Sequence, residues 1–142
     1  MRDGPAPRSR SQARSRALQL LYLHDQGGSA DMAEQFRRDQ PARAEVESFA
    51  RELVESVRTH QGDLDELIRA QAQHWDLERM AVVDRNVLRL GLCELLHFPK
   101  TPRQVVIDEA VELAKAFGGA RSGAFVNGIL DHVVLPASLP EA

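Results

Sequence analysis

With 142 residues, 43% of them hydrophobic, the chain is long enough for one domain with a hydrophobic core and too short for two ordinary domains. It contains no run near the ~20 apolar residues that span a membrane, and its one cysteine, Cys93, cannot form an internal disulfide, so we expect a cytoplasmic protein with no membrane partner. The formal net charge of −3 does not by itself indicate a nucleic-acid partner, but the charge is unevenly distributed.

The N-terminal segment is strongly basic. Five arginines against Asp3 give residues 1–16 a formal charge of +4, so the rest of the chain carries −7. A basic segment on an acidic body is typical of a protein that meets phosphates on one face, although a solubilising tail is the alternative. The arginines are Arg2, Arg8, Arg10, Arg14 and Arg16.

The first predicted helix begins near Ser9 or Ser11 and ends at Gly27-Gly28. Residues 1–8 are therefore predicted to be a flexible basic arm, in front of a helical domain over 9–134. On the helical wheel the arginines belong to the exposed start of this helix, and its later turns carry the buried apolar stripe. We expect the tail over 135–142 to be disordered.

Six further helices follow from the 3.6-residue apolar periodicity, and no segment shows the sustained alternation of a strand. The fifth helix is the most apolar and is therefore expected at the centre of the fold. We expect Trp75, in the connection before it, to anchor that loop to the core. The predicted helices cover 30–41, 43–60, a short segment capped by Asp63, 78–97, a segment from Pro102 to Gly118, and a last one capped by Ser122.

No constellation of residues in the sequence indicates catalysis. The five histidines lack the spacing of a zinc helix, and Glu94-x-x-His97 is half of a di-iron motif with no second copy. The glycine-rich segment 117–123 lacks the lysine of a phosphate loop. Cys93 is expected to fill space in the core. We predict a protein that is not an enzyme and that needs no metal and no cofactor.

Four blocks of the sequence are distinctive: Arg14-x-x-Ala17-x-Gln19-x-Leu21-Tyr22, Asp84 to Leu95, Val106 to Gly118, and Phe125-Val-Asn-Gly-Ile-Leu-Asp131. These blocks resemble the NusB family and occur in the family's order, whereas the region between Gly27 and Arg79 matches only as a helical pattern. The resemblance implies an all-α fold of about seven helices in two small packed bundles. It also implies transcription antitermination, in which the protein binds the single-stranded boxA RNA of ribosomal RNA transcripts together with the ribosomal protein NusE in the RNA polymerase antitermination complex.

The resemblance also implies site residues. Tyr22 and Phe125 match RNA-facing aromatic positions, with core packing as the alternative for each. Asp84 matches a position that faces NusE, with an ordinary surface carboxylate as the alternative. Relatives often have a lysine before the phenylalanine block, where this chain has Gly123-Ala124. Arg121 is the candidate replacement, and a weaker RNA affinity that depends more on NusE is the alternative. The predicted phosphate contacts are Arg8, Arg10, Arg14 and Arg16.

Two other functions stay open from the sequence. The first is the related helical domain that delivers RNA to a ribosomal RNA cytosine methyltransferase. That reading requires a catalytic domain beyond Ala142, and the start at Met1 argues against a fragment. The second is a protein-only helical scaffold with a basic tail. The sequence also leaves open whether an exposed apolar stripe serves a homodimer or NusE.

Overall fold

The computed structural model describes residues 7–72, 75–133 and 135, and across these ranges the protein consists of seven α-helices and one 3₁₀ turn, with no strand. The predicted all-α fold is confirmed. None of the described helices is long and apolar enough to cross a membrane. The helices are α1 (Pro7–Asp25), α2 (Ala30–Asp39), α3 (Ala44–Thr59), α4 (Gln61–Gln71), α5 (Val82–His97), α6 (Arg103–Gly118) and α7 (Ala120–His132), with the 3₁₀ turn at Leu77–Arg79.

Most of the predicted arm over 1–8 and nearly all of the predicted tail over 135–142 lie outside the described residues. The described part of the arm is helical, because α1 begins at Pro7 and includes Arg8. A proline is tolerated in the first turn of a helix, where its missing amide hydrogen has no intrahelical acceptor to lose.

The chain divides into two compact units, Met1–Glu55 and Ser56–Ala142. Unit 1 contains α1, α2 and most of α3. Its buried side chains include Leu20 and Leu21 of α1, Ala33 of α2, and Leu53 of α3. Helix α2 begins after Ser29, whose hydroxyl accepts a hydrogen bond from the Met32 amide at 3.2 Å. This contact satisfies one of the amides that a helix start leaves without a partner.

Unit 2 is organised around α5, as its apolar sequence predicts. Every residue from Asn86 to Glu94 is buried, and α5 contacts α4, α6 and α7. Gly91 permits the close approach of the last two helices. A Cβ atom added there would lie 3.2 Å from Cδ1 of Leu130 and 3.5 Å from Cβ of Ala110. A larger residue at this position would therefore push α5 away from its neighbours.

Two of the predicted helix caps are wrong. Helix α4 begins at Gln61, so Asp63 lies inside its first turn. Helix α7 begins at Ala120 because Gly119, with φ of +95°, turns the chain directly from α6 into α7. Ser122 is consequently buried within α7. A Cβ on Gly118 would lie 2.3 Å from the Ser122 hydroxyl oxygen, so the two helices meet too closely for a side chain there.

Helix α5 is also shorter at its start than the periodicity predicts. Residues Leu77–Arg79 form a separate 3₁₀ turn, and the Asp76 carboxylate accepts a hydrogen bond from the Glu78 amide at 3.4 Å. Leu77 in this turn and Met80 after it are both buried, like the apolar residues of α5, so the sequence pattern of buried residues begins before the helix. A periodic pattern of buried residues therefore extends beyond the helix itself.

Cys93 fills space in the core of unit 2, as predicted. Its side chain is buried, and the thiol donates a hydrogen bond to the Ser56 hydroxyl at 3.1 Å. Burial raises the pKa of the Cys93 thiol to about 11, an effect that the Ser56 hydrogen bond only partly offsets. The thiol is therefore neutral at physiological pH and a poor nucleophile.

Candidate nucleic-acid interface

The arginines of α1 divide into an accessible and an inaccessible pair. Arg8 is exposed and Arg10 is half-buried, as expected for the start of the helix. Arg14 and Arg16 expose only 3% and 7% of their surface. The prediction that all of these arginines lie on an exposed helix start is therefore wrong for Arg14 and Arg16, and their contact with RNA stays a prediction.

Arg16 is buried because unit 1 provides it with partners on other helices. Its Nη2 lies 3.0 Å from Oε1 of Glu47 in α3, and its Nη1 donates a hydrogen bond to the Gln40 carbonyl after α2. Its guanidinium also lies over the Phe36 ring, 5.1 Å from the ring centroid. The charge of Arg16 is therefore used within the fold of unit 1.

Glu47 is the centre of a larger ion-pair cluster in unit 1. Besides Arg16, its carboxylate lies 3.6 Å from Nε of Arg37 and 3.8 Å from Nε of Arg51. The Ser9 hydroxyl makes a second link between α1 and α3 by donating to Glu45 at 3.0 Å. Part of the basic character that the sequence shows near residue 16 is thus neutralised by carboxylates some thirty residues further along the chain.

Beside this cluster, unit 1 has an open groove of about 410 Å³ that the sequence does not reveal. Four polar residues of α1, related by spacings of three and four residues, line one wall, so they lie on a single helix face. The Gln19 amide donates to the Ser15 carbonyl at 3.3 Å. The lining residues are Gln12, Ser15, Arg16, Gln19, Pro41, Ala42, Arg43 and Val46.

Tyr22 lies near the end of α1 and exposes 45% of its surface. Core packing, the alternative that the sequence left open, does not account for a ring this accessible. The face of an exposed tyrosine is available to stack on a planar group such as a nucleic-acid base.

In unit 2, α7 presents Arg121 and Phe125 one turn apart, so both lie on the same helix face. Arg121 is exposed and Phe125 is half-buried. The ring of Trp75 packs edge-on against Phe125, with centroids 5.5 Å apart and ring planes at 75°. Trp75 exposes 60% of its surface, so the prediction that it anchors its loop in the core is wrong. Sequence reasoning missed this pairing because the two rings are fifty positions apart.

Asp84 lies in the first turn of α5, where a carboxylate is stabilised by the partial positive charge of the helix end. The residue is half-buried, and among the described residues no hydrogen-bond donor reaches its buried Oδ1 atom. Because this oxygen is buried, its lack of a donor does not indicate a partner contact, and the role of Asp84 in partner binding stays a prediction.

The described part of the chain contains no group of three or more histidine, cysteine, aspartate or glutamate side chains arranged to hold a metal ion. Two histidines do meet in unit 2, where the His60 and His97 rings stack with centroids 3.8 Å apart. Burial, followed by the neighbouring His60, lowers the pKa of His97 against an opposing effect of Asp63. No third potential metal ligand joins this pair within the described ranges, and the two rings form a packing contact.

The comparison with known proteins gives the same family throughout. The family model described as the NusB family matches residues 11–135. The transcription antitermination protein NusB of Sorangium cellulosum is 48% identical over 127 residues, which cover 88% of this chain and 91% of that protein. The NusB protein of Myxococcus xanthus is 45% identical over 141 residues, covering 93% of this chain and 99% of the relative.

Solved structures of NusB proteins are also similar to this chain. NusB of T. maritima superposes with a TM-score of 0.76 at 35% identity, covering 87% of this chain and 89% of the other. A chain from the complex of the antitermination factors NusB and NusE with double-stranded RNA gives a TM-score of 0.78 at 27% identity, covering 90% and 97%. A family match over most of the chain, with relatives aligned over nearly their full length, means that this protein belongs to the NusB family.

Proposed function

We propose that this protein is an RNA-binding adaptor in transcription antitermination and that it binds boxA RNA of ribosomal RNA transcripts together with NusE. The observation that carries the proposal is the 48% identity to the Sorangium antitermination protein over 88% of the chain. The structural likeness to a NusB that was solved with NusE and RNA adds support from the fold. In this role the protein acts by assembly within the RNA polymerase antitermination complex, in the cytoplasm, without catalysis or a cofactor.

The accessible residues fit the chemistry of RNA binding. Single-stranded RNA is held by cations that meet phosphates and by rings on which unpaired bases stack. Arg8, Arg10 and Arg121 supply the accessible or partly accessible cations, while Tyr22 and Phe125 supply rings. Each stacked base contributes about 1–3 kcal/mol to binding.

The buried arginines take a different part in the same proposal. Arg16 holds α1 against α2 and α3 through Gln40, Phe36 and Glu47, and in this way keeps the exposed face of α1 in place. Arg14 is also buried, and we assign it the same role as Arg16, which is to support the RNA interface from within unit 1. We assign NusE binding to the surface around Asp84, a half-buried residue in the first turn of α5 that matches the family position facing NusE.

A titration of labelled RNA tests the function. The protein is added to single-stranded boxA RNA, to a scrambled strand and to a duplex of the boxA sequence, each with and without purified NusE, and fluorescence anisotropy is measured. We expect tighter binding to single-stranded boxA than to the scrambled strand, and a further increase with NusE. The duplex shows whether the protein distinguishes paired from unpaired bases.

Equal and weak binding to all three RNAs, unaffected by NusE, would contradict the proposal and leave a helical scaffold with a basic segment. An Asp84→Asn variant sharpens the partner assignment. We expect it to bind boxA alone like the wild type and to lose part of the gain that NusE provides. Sedimentation of the free protein across concentrations measures whether it also forms a homodimer.

A further inference from the structure

The most exposed aromatic side chain in the described part of the protein has no assigned role. Trp75 leaves 60% of its surface in water, although tryptophan gains more from burial than almost any other residue. Among the described residues, Phe125 is the only one whose ring contacts it, and that contact is edge-on. A large ring held at a fixed angle and largely uncovered is a preformed stacking surface.

We propose that Trp75 is a base-stacking residue and that it forms, with Phe125, a two-ring platform for a base of bound single-stranded RNA. This inference rests on the proposed function and adds to it a residue that nothing in the family resemblance assigns. The platform lies wholly within unit 2, so it depends only on contacts inside that unit.

The charges around the platform favour RNA over an apolar protein surface. Arg121 lies one turn before Phe125 on the same face of α7, is exposed, and has no carboxylate partner among the described residues. The backbone phosphates of a base that stacks on the rings lie beside the platform, where the exposed Arg121 guanidinium can pair with them. An apolar protein surface would leave that guanidinium without a partner.

The acidic side chain that follows Trp75 in the sequence does not cancel this arrangement. Asp76 directly follows Trp75, but its carboxylate caps the 3₁₀ turn through the Glu78 amide and lies 3.9 Å from Nε of Arg79. Its charge is therefore partly balanced within the turn. The backbone amide of Trp75 donates to the Ala72 carbonyl at 2.9 Å, which helps to fix the position from which the ring projects.

Because Trp75 is the only tryptophan in the chain, its intrinsic fluorescence reports on this site alone. Unlabelled boxA RNA is titrated into the full-length protein, and the tryptophan emission and its quenching by acrylamide are followed. In parallel, the anisotropy of labelled boxA RNA measures binding independently. We expect the emission to fall along the same binding curve as the anisotropy and the bound ring to be protected from acrylamide.

Three substitutions at Trp75 separate stacking from packing. We expect Trp75→Ala to weaken RNA binding by roughly 5- to 150-fold, the range that base–aromatic stacking implies. Trp75→Phe keeps an aromatic face and should retain most of the affinity for RNA. Trp75→Leu keeps an apolar contact to Phe125 but has no aromatic face, so it should bind RNA as weakly as Trp75→Ala. Phe117→Ala, which removes an aromatic ring of 44% exposure outside the platform, is the matched control and should bind like the wild type. Circular dichroism melting checks that each variant is folded.

The possible failures are distinguishable. If the wild type binds boxA RNA but its tryptophan emission does not change, or if Trp75→Leu binds as well as Trp75→Phe, the stacking role is wrong while the proposed function stands. If labelled RNA does not bind the wild type with or without NusE, the proposed function is wrong and this inference is wrong with it.

Discussion

Arg16 in unit 1 and Arg89 in unit 2 are both buried beside a carboxylate, and the two units hold these arginines in different ways. In unit 1, Arg16 shares the Glu47 carboxylate with Arg37 and Arg51. In unit 2, Arg89 of α5 binds Asp65 of α4 by two parallel hydrogen bonds, of 2.7 and 3.1 Å. Within the described residues, Asp65 forms an ion pair with no other cation. One carboxylate therefore has several partners and the other has a single, geometrically matched one.

This difference shows that an arginine in a basic segment is not automatically a phosphate contact. Arg8 and Arg16 are two turns apart in the same helix, yet one faces solvent and the other is enclosed by α2 and α3 residues. The same side chain chemistry thus serves the fold at one position and is available for RNA at the other. Burial and carboxylate partners separate the two roles, and the substitutions below test that separation.

The largest effect is expected for Arg89→Ala. The change leaves the largely buried Asp65 carboxylate without its cation and removes the guanidinium that donates to Asn86 at 3.1 Å. Breaking a buried pair in this way typically costs about 3–5 kcal/mol in the free energy of unfolding. Urea denaturation followed by circular dichroism measures it.

The exposed Arg58 of α3 provides the control for Arg89, because Arg58→Ala should change the unfolding free energy by less than about 0.5 kcal/mol. Arg89→Lys should recover only part of the loss, since an ammonium group cannot reproduce two parallel hydrogen bonds. A full recovery by lysine would show that the paired geometry at Asp65 is unimportant.

A smaller loss, about 1–3 kcal/mol, is expected for Arg16→Ala. The variant removes the hydrogen bond to the Gln40 carbonyl and the contact with the Phe36 ring, but Glu47 keeps Arg37 and Arg51 nearby. The same urea experiment measures the change. A loss of unfolding free energy equal to that of Arg89→Ala would contradict this prediction. It would mean that Arg37 and Arg51 do not compensate for the missing Arg16 at Glu47.

The smallest effect on stability is expected for Arg8→Ala, because the residue is exposed in the first turn of α1. Its unfolding free energy should stay within about 0.5 kcal/mol of the wild type. If Arg8 meets a phosphate of single-stranded RNA, the log–log dependence of RNA affinity on salt should become shallower by about 0.7. Anisotropy titrations of boxA RNA at several salt concentrations measure this slope, and an unchanged slope would remove Arg8 from the interface.

A double substitution of Arg10 and Arg14 follows naturally from the sequence as a test of the basic segment. The structure changes how it should be interpreted, since Arg14 is buried and its loss would disturb unit 1 as well as any RNA contact. The separate variants Arg8→Ala and Arg16→Ala avoid this confusion between a phosphate contact and a fold contact.

The sequence predicts the helices well where one face of each is continuously apolar. The α5 segment is so rich in leucine and valine that its central position follows directly from its pattern. The burial of Arg16 could not be predicted in this way, because it depends on Glu47 in a different helix. The exposure of Trp75 could not be predicted either. Hydrophobicity favours burial for a tryptophan, and only the folded chain shows that Phe125 is its neighbour.

The first residues of the helices were also not fully predictable from the sequence. Asp63 and Ser122 are good capping residues by type, but α4 and α7 both begin earlier in the chain. At α7 the decisive feature is the conformation of Gly119, which lets the chain leave one helix and enter the next without a loop. The sequence shows that a glycine can adopt a positive φ angle, but it does not show whether a particular glycine does so.

The enclosed Cys93 thiol has a practical consequence for studying the assembly. A chain whose single sulfhydryl is buried and protonated reacts slowly with maleimides, which require an accessible thiolate. A cysteine introduced at an exposed position of α7, such as Ala124, would therefore accept a fluorophore selectively in the otherwise unaltered protein. Energy transfer from such a label to one on the RNA would then report where the RNA lies along α7.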